Sequence, residues 1–145
     1  VVALDTDRGL VWEYGDKESK ATNNQMELAA CLHALKLILK SALKEKNFHV
    51  VEMRLDSKYV IQGVTEWSKN WLKNGWKSSQ KKDVLNKDLW QKILKVKREV
   101  EDEGINLKFI HVYGHTGEKW NERCDEIAKG FASGEPPELR RAEKY

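Results

Sequence analysis

Cysteine, proline and glycine are scarce in this chain, and no long apolar run interrupts its charge. Two cysteines, Cys31 and Cys124, lie far apart without a C-x-x-C pair or a Cys/His cluster, which excludes a disulfide scaffold and predicts two reduced core thiols in a cytosolic protein. Two prolines and nine glycines exclude a collagen-like repeat. No segment approaches the roughly 18–20 apolar residues of a membrane-spanning helix. The most apolar stretch, Leu28 to Leu43, is broken by His33, Lys36 and Lys40 and reads as an amphipathic helix. The opening Val1-Val2-Ala3-Leu4-Asp5 lacks the basic and apolar regions of a signal peptide and has no initiator methionine. Cytoplasmic residence is expected, or nuclear or mitochondrial residence in a eukaryote.

The composition is that of a compact globular protein, with 40% hydrophobic and 34% charged residues among 145. That length suits a single domain over 1–145, with residues 133–145 as a C-terminal tail passing from ordered to loose. Charge is unevenly spread. Ser68 to Arg98 holds ten basic and two acidic residues, a net of +8 that leaves −5 for the rest of the chain. Such a patch suits a polyanion, because lysine contacts to phosphate release counterions. A solvated lysine-rich helix is the plainer alternative.

Hydrophobic spacing places the elements. Val1–Leu4 and Leu10–Tyr14 read as a hairpin turning at Asp7-Arg8-Gly9. Thr22-Asn23-Asn24 are helix-capping residues ahead of Leu28, Cys31, Leu32, Leu35, Leu39 and Leu43, predicting a helix over 24–44. Val51 to Leu55 alternates as a strand. Helices are predicted over Lys58–Trp67, from Asn86 to Gly104 and over Asn121–Ala132, with a strand at Leu107–Val112. Strands mixed with helices indicate an α/β or α+β class.

Three carboxylates stand where such folds gather ligands: Glu27 in the first turn of the long helix, Asp56 at a strand end, and Asp125 near the start of the last helix. Converging carboxylates repel and call for a cation, and hard oxygens suit Mg²⁺. Each has a plainer use, Glu27 on the helix dipole, Asp56 as a cap and Asp125 at the surface. His115 lies in a glycine-flanked loop, where a histidine can shuttle protons. Trp67, Trp71 and Trp76 alternate with Lys69, Lys73 and Lys77, offering stacking faces beside phosphate contacts. The i, i+4 spacing of Trp67 and Trp71 equally suits core anchors.

Four motifs then become recognisable in order. Thr22-Asn23-Asn24-Gln25-Met26-Glu27-Leu28 resembles the helix opening of type 1 ribonuclease H (ribonuclease HI). Asp56 to Trp67 with Asn70-Trp71 and Gly75-Trp76-Lys77 resembles that family's second acidic strand end and basic protrusion. Asn86-Lys87-Asp88-Leu89-Trp90 matches the helix that follows, and Gly114-His115-Thr116-Gly117 with Asn121 to Glu126 is similar to the histidine loop and last acidic helix. The resemblance, over residues 1 to about 132, implies an α/β ribonuclease H-like fold, a mixed central sheet flanked by helices with a basic protrusion.

It also implies function. Glu27, Asp56 and Asp125 would bind two ions of Mg²⁺, or Mn²⁺, about 3.5–4 Å apart, and His115 would assist proton transfer or product release. Thr22, Asn23, Asn24, Gln25 and Lys58 would contact an RNA–DNA hybrid, where 2′-hydroxyls distinguish RNA. Trp67, Trp71, Lys73, Trp76 and Lys77 would grip the DNA strand. The reaction would be endonucleolytic hydrolysis of the RNA strand, leaving 5′-phosphate and 3′-hydroxyl ends.

One family feature has no match. The first strand, with its metal-bridging aspartate and glycine-rich turn, is missing, because Val1 aligns with the second strand, and Asp5 and Asp7 lie toward a hairpin tip. Weak or no cleavage by these 145 residues is the expectation. An N-terminus that continues upstream is favoured, with a monomer once the strand is restored. A strand supplied by another chain, or a hybrid-binding module that does not cut, are the alternatives, as is the nuclease domain of a larger reverse transcriptase. Lys58 replaces a glutamine common in the family.

Overall fold

The computed structural model describes residues 1–45, 47–114 and 117–145. It divides into two compact units, Val1–Lys20 with Val112–Tyr145, and Ala21–His111. Of the mixed sheet expected, the antiparallel and parallel parts are both present, as two separate sheets among the described residues.

The first unit is built on a three-stranded antiparallel sheet. Strands β1 (Val2–Asp5) and β2 (Leu10–Glu13) form the predicted hairpin, pairing Val2 with Glu13 and Asp5 with Leu10. Its turn is tied by Asp5, whose carboxylate accepts from the Arg8 backbone N–H at 2.9 Å and pairs with the Arg8 guanidinium. These contacts hold the Asp5 carboxyl below its ordinary value. Asp5 is thus committed to the turn. The helix of this unit, α5, spans Lys119–Ser133.

The C-terminal tail corrects expectation. Instead of trailing loosely, the chain turns back after Ser133 and forms a strand, Arg141–Lys144, antiparallel to β2. The register shifts between Val11 and Trp12, where Ala142 is the extra residue and takes a left-handed φ of 56°. The return depends on Gly130. A Cβ there would lie 2.6 Å from Pro137 Cδ and 2.9 Å from the Glu135 carbonyl oxygen.

The second unit begins with α1 (Asn23–Glu45), one residue beyond the prediction at each end. Thr22 and Gln25 form a reciprocal capping box: the Gln25 N–H donates to Thr22 Oγ1 at 3.1 Å, and the Thr22 N–H to Gln25 Oε1 at 2.9 Å. Because the helix starts at Asn23, Glu27 falls outside the first turn that the sequence suggested. Strand β3 (Val50–Leu55) pairs in parallel with β4 (Asn106–His111), from Val50 opposite Asn106 to Leu55 opposite His111. A parallel pair needs a crossover, and the intervening chain supplies it as helices.

The crossover opens with α2 (Lys58–Gln62), capped by Ser57, whose Oγ accepts from the Val60 N–H at 3.3 Å. Where the sequence predicts an end at Trp67, the helical path continues through a π-helical turn (Gly63–Trp67) into α3 (Ser68–Lys73). Gly63 admits the Trp90 ring, since a Cβ would stand 2.0 Å from Trp90 Cη2. Helix α4 (Lys87–Asp102) then presents Trp90, Ile93, Val96 and Val100 to Leu28, Cys31, Leu32 and Leu35 of α1. Full burial of Leu28, Leu35, Trp90 and Ile93 is worth about 1.5–3 kcal/mol per side chain. Burial also raises the Cys31 thiol to about 12, which makes it inert. No helix among the described residues is long and apolar enough to cross a membrane.

Candidate active site and nucleic-acid surface

In the second unit, β3 delivers Asp56 at its C-terminal end, half-buried. Ser57, rather than Asp56, caps α2, so the carboxylate is not used by the helix. No hydrogen bond or ion pair to it exists among the described residues. Its backbone carbonyl accepts from His111 Nε2 at 3.2 Å, joining the ends of β3 and β4; a carbonyl only accepts, so Nε2 carries the proton. Glu27 is exposed on α1, one residue before fully buried Leu28.

The expected substrate-reading residues divide. Asn23 and Asn24 are exposed at the start of α1, as is Lys58 at the start of α2. Thr22 and Gln25 are engaged in the cap, and Gln25 Nε2 also donates to Asn86 Oδ1 at 3.3 Å. Asn86 Nδ2 and Trp90 Nε1 both donate to the Tyr59 hydroxyl, each at 3.2 Å. This polar chain joins the openings of α1, α2 and α4. Sequence reasoning missed Tyr59 and the bridging role of Asn86. A signal existed: Asn86 takes φ 58°, a conformation asparagine tolerates better than most residues.

The tryptophans form a stack. Trp71 meets Trp76 at 5.7 Å between centroids in a stacked pair, and Trp67 and Trp90 at 6.0 and 5.1 Å in tilted ones. All of Trp67, Trp71 and Trp76 are half-buried, and the last two pack against the core. The core-anchor reading holds for Trp71 and Trp76, and all three rings keep part of their surface exposed. Trp76 to Val84 returns as a short hairpin, closed by Val84 N–H to Trp76 O at 3.2 Å. Lys77 pairs there with Asp83 and lowers its carboxyl. Lys69 and Lys73 are exposed and have no ion-pair partner among the described residues.

In the first unit, Asp125 is half-buried in the second turn of α5, and its carboxylate likewise has no partner among the described residues. Two residues earlier, Arg123 reaches Glu13, which is 0% exposed. Arg123 Nε donates to Glu13 Oε1 at 2.8 Å and Nη2 to Oε2 at 2.9 Å. Arg140 completes the cluster, donating Nε to Oε1 at 3.0 Å and its backbone N–H to Oε2 at 2.9 Å. The Arg123 hydrogen bonds, ahead of those from Arg140, hold the Glu13 carboxyl down from 4.5 to about 2. The sequence reading passed over this cluster. Its cue was a glutamate at the same strand parity as buried Val11.

His115 and Thr116 lie outside the described residues. Among the described residues, no three His, Cys, Asp or Glu side chains gather closely enough to hold a metal ion. The donors nevertheless fit in kind. Asp56 and Asp125 offer hard carboxylate oxygens that no other group among the described residues occupies.

The sequence model of the RNase H family matches residues 4–133. The chain belongs to the ribonuclease H family. Its enzyme class is ribonuclease H. The match takes in Glu27, Asp56 and Asp125 and includes parts of both compact units. A ribonuclease H of a Cyanothece strain is 40% identical over 134 residues, covering 92% of this chain and 78% of that relative. One from Thermosynechococcus vestitus is 40% identical over 143 residues, covering 97% and 81%.

Solved structures give the fold alone. A type 1 RNase H with the type 2 active-site motif aligns with a TM-score of 0.61 at 23% identity, covering 93% of this chain and 69% of that one. A foamy viral protease–reverse transcriptase in complex with RNA/DNA hybrid aligns at 0.66 and 20%, covering 82% of this chain and 15% of that one. Neither a binding module without cleavage nor a reverse transcriptase domain is favoured by these ribonuclease H matches.

Proposed function

We propose that residues 1–145 act as one ribonuclease H domain that cuts the RNA strand of RNA–DNA hybrids internally, leaving 5′-phosphate and 3′-hydroxyl ends. The carrying observation is the family match across Glu27, Asp56 and Asp125; the Asp56 and Asp125 carboxylates have no partner among the described residues. In this reading the three carboxylates hold two divalent cations, Mg²⁺ or Mn²⁺. Bound ions of this kind generate a nucleophile from water and stabilise the leaving oxygen.

The chain's own residues do the rest. Asn23 and Asn24, exposed at the helix opening, present amides to the minor-groove edges and 2′-hydroxyls. The capping box and the Asn86 bond hold Gln25 beside them. Lys58, Lys69, Lys73 and Lys77 neutralise phosphates, and the outer faces of Trp67, Trp71 and Trp76 pack against the DNA strand. His115 moves the proton to or from the leaving group.

The test is Mg²⁺-dependent cleavage of a hybrid labelled on the RNA strand. Weak cutting at most is expected from residues 1–145, and full cutting when the family's first strand and its aspartate are supplied; Asp56→Asn and Asp125→Asn abolish it while hybrid binding persists. Cutting that survives both substitutions overturns the site assignment. Tight hybrid binding with no cutting even when the first strand and its aspartate are supplied overturns the enzymatic reading in favour of a binding module.

A further inference from the structure

The C-terminal segment is fastened to the opening of α5 at several independent points. Glu13 of β2 is shared between Arg123 on α5 and Arg140 just ahead of the last strand. Arg123 Nη2 also donates to the Glu138 carbonyl at 2.8 Å. Trp120, in the first turn of α5, has the Arg140 guanidinium 5.5 Å from its ring centre and Tyr145 edge-on at 5.1 Å. The Glu13 N–H donates to the Arg140 carbonyl at 2.9 Å, and the Tyr145 N–H to Gly9 O at 3.3 Å.

The side-chain contacts converge on Trp120 and Arg123, about 1.4 turns and half a turn before Asp125. They use planar groups with directional bonds: two guanidinium forks on one carboxylate, and an aromatic ring between a cation and a second ring. A helix opening needs no such bracing merely to stay helical. The α5 core contact is already made by Ile127, which is 1% exposed.

The geometry points to the C-terminal strand as a brace that sets where Asp125 stands, with Arg140 as its positioning residue. This inference rests on the reading that Asp125 binds a divalent cation. Arg140 touches neither substrate nor cation. It completes the charge around Glu13, which orients Arg123 and so the helical turn that bears Asp125. Groups hydrogen-bonded directly to a metal ligand commonly alter metal affinity by about 10–100-fold when removed; Arg140 acts through Glu13 and Arg123 and is expected at the low end of that range.

The experiment is an NMR titration of the full chain with Mg²⁺ alone, following the Asp125 backbone amide, at a temperature where every variant is folded. The unsubstituted chain is expected to show a saturable shift. Arg140→Ala is expected to weaken Mg²⁺ binding about tenfold. Val11→Ala, which opens a cavity in the same unit and lowers Tm, is expected to leave the affinity unchanged. Arg140→Lys keeps one charge without the planar fork and is read if the alanine variant does not fold; about threefold weakening is expected. Wild-type affinity in the Arg140 variants, or equal weakening by Val11→Ala, overturns the brace. No saturable shift at Asp125 in the unsubstituted chain overturns the assignment of Asp125 itself, and the brace with it.

Discussion

Glu13 has no solvent exposure, and its two oxygens are divided between two arginines. Breaking such a buried pair costs about 3–5 kcal/mol, because the remaining charge is left uncompensated. Arg123→Ala leaves Arg140 bonded to the same carboxylate, so it is expected to lower unfolding free energy by less, about 2–3 kcal/mol, in a urea titration. The pH dependence follows from the same carboxyl, whose folded value is held down to about 2 against an ordinary 4.5. A depressed acid contributes stability that is fully present above its unfolded value and lost as pH falls through the folded one. Stability is expected to be level on this account from pH 7 to about 5, then to decline toward pH 2. Glu13→Gln should flatten that acid limb while lowering stability at neutral pH. Asp56, Asp125 and Glu27 were legible as candidates from their places on elements. Glu13 was not, because its meaning lies in two partners 110 and 127 residues away.

The helices were read correctly where their apolar spacing decides them. Helix α1 follows Leu28, Cys31, Leu32 and Leu35, and α4 follows Trp90, Ile93, Val96 and Val100. The error at Lys58–Trp67 arose because a π turn shifts the phase that such spacing assumes. The Trp90 ring is seated on Gly63, the first residue of that turn. Gly63→Ala should destabilise the protein by about 1–3 kcal/mol, the usual cost of overpacking, measured by thermal or urea unfolding. Strand β5 was missed because Arg141–Lys144 is exposed throughout and has no apolar alternation to reveal it. Its position comes from backbone pairing with β2 and from Arg140, neither of which leaves a local pattern.

Across the molecule, the net +8 of residues 68–98 against −5 elsewhere predicts salt-sensitive hybrid binding. Lys73 carries no ion pair among the described residues, whereas Lys77 is already paired with Asp83. Lys73→Ala should reduce the slope of log affinity against log salt by roughly one, measured by fluorescence anisotropy. Lys77→Ala should reduce it less, since the Asp83 pair must first be given up.

Family, helix phases and the uneven charge follow from residue type and short-range spacing, which any chain displays before it folds. The division of Glu13 between Arg123 and Arg140, the return of the tail as a strand, and the packing of Trp71 and Trp76 into their own stack required the chain to close on itself. Pairings of that kind depend on backbone direction and on which distant groups become buried together. Neither is written in the order of neighbouring residues.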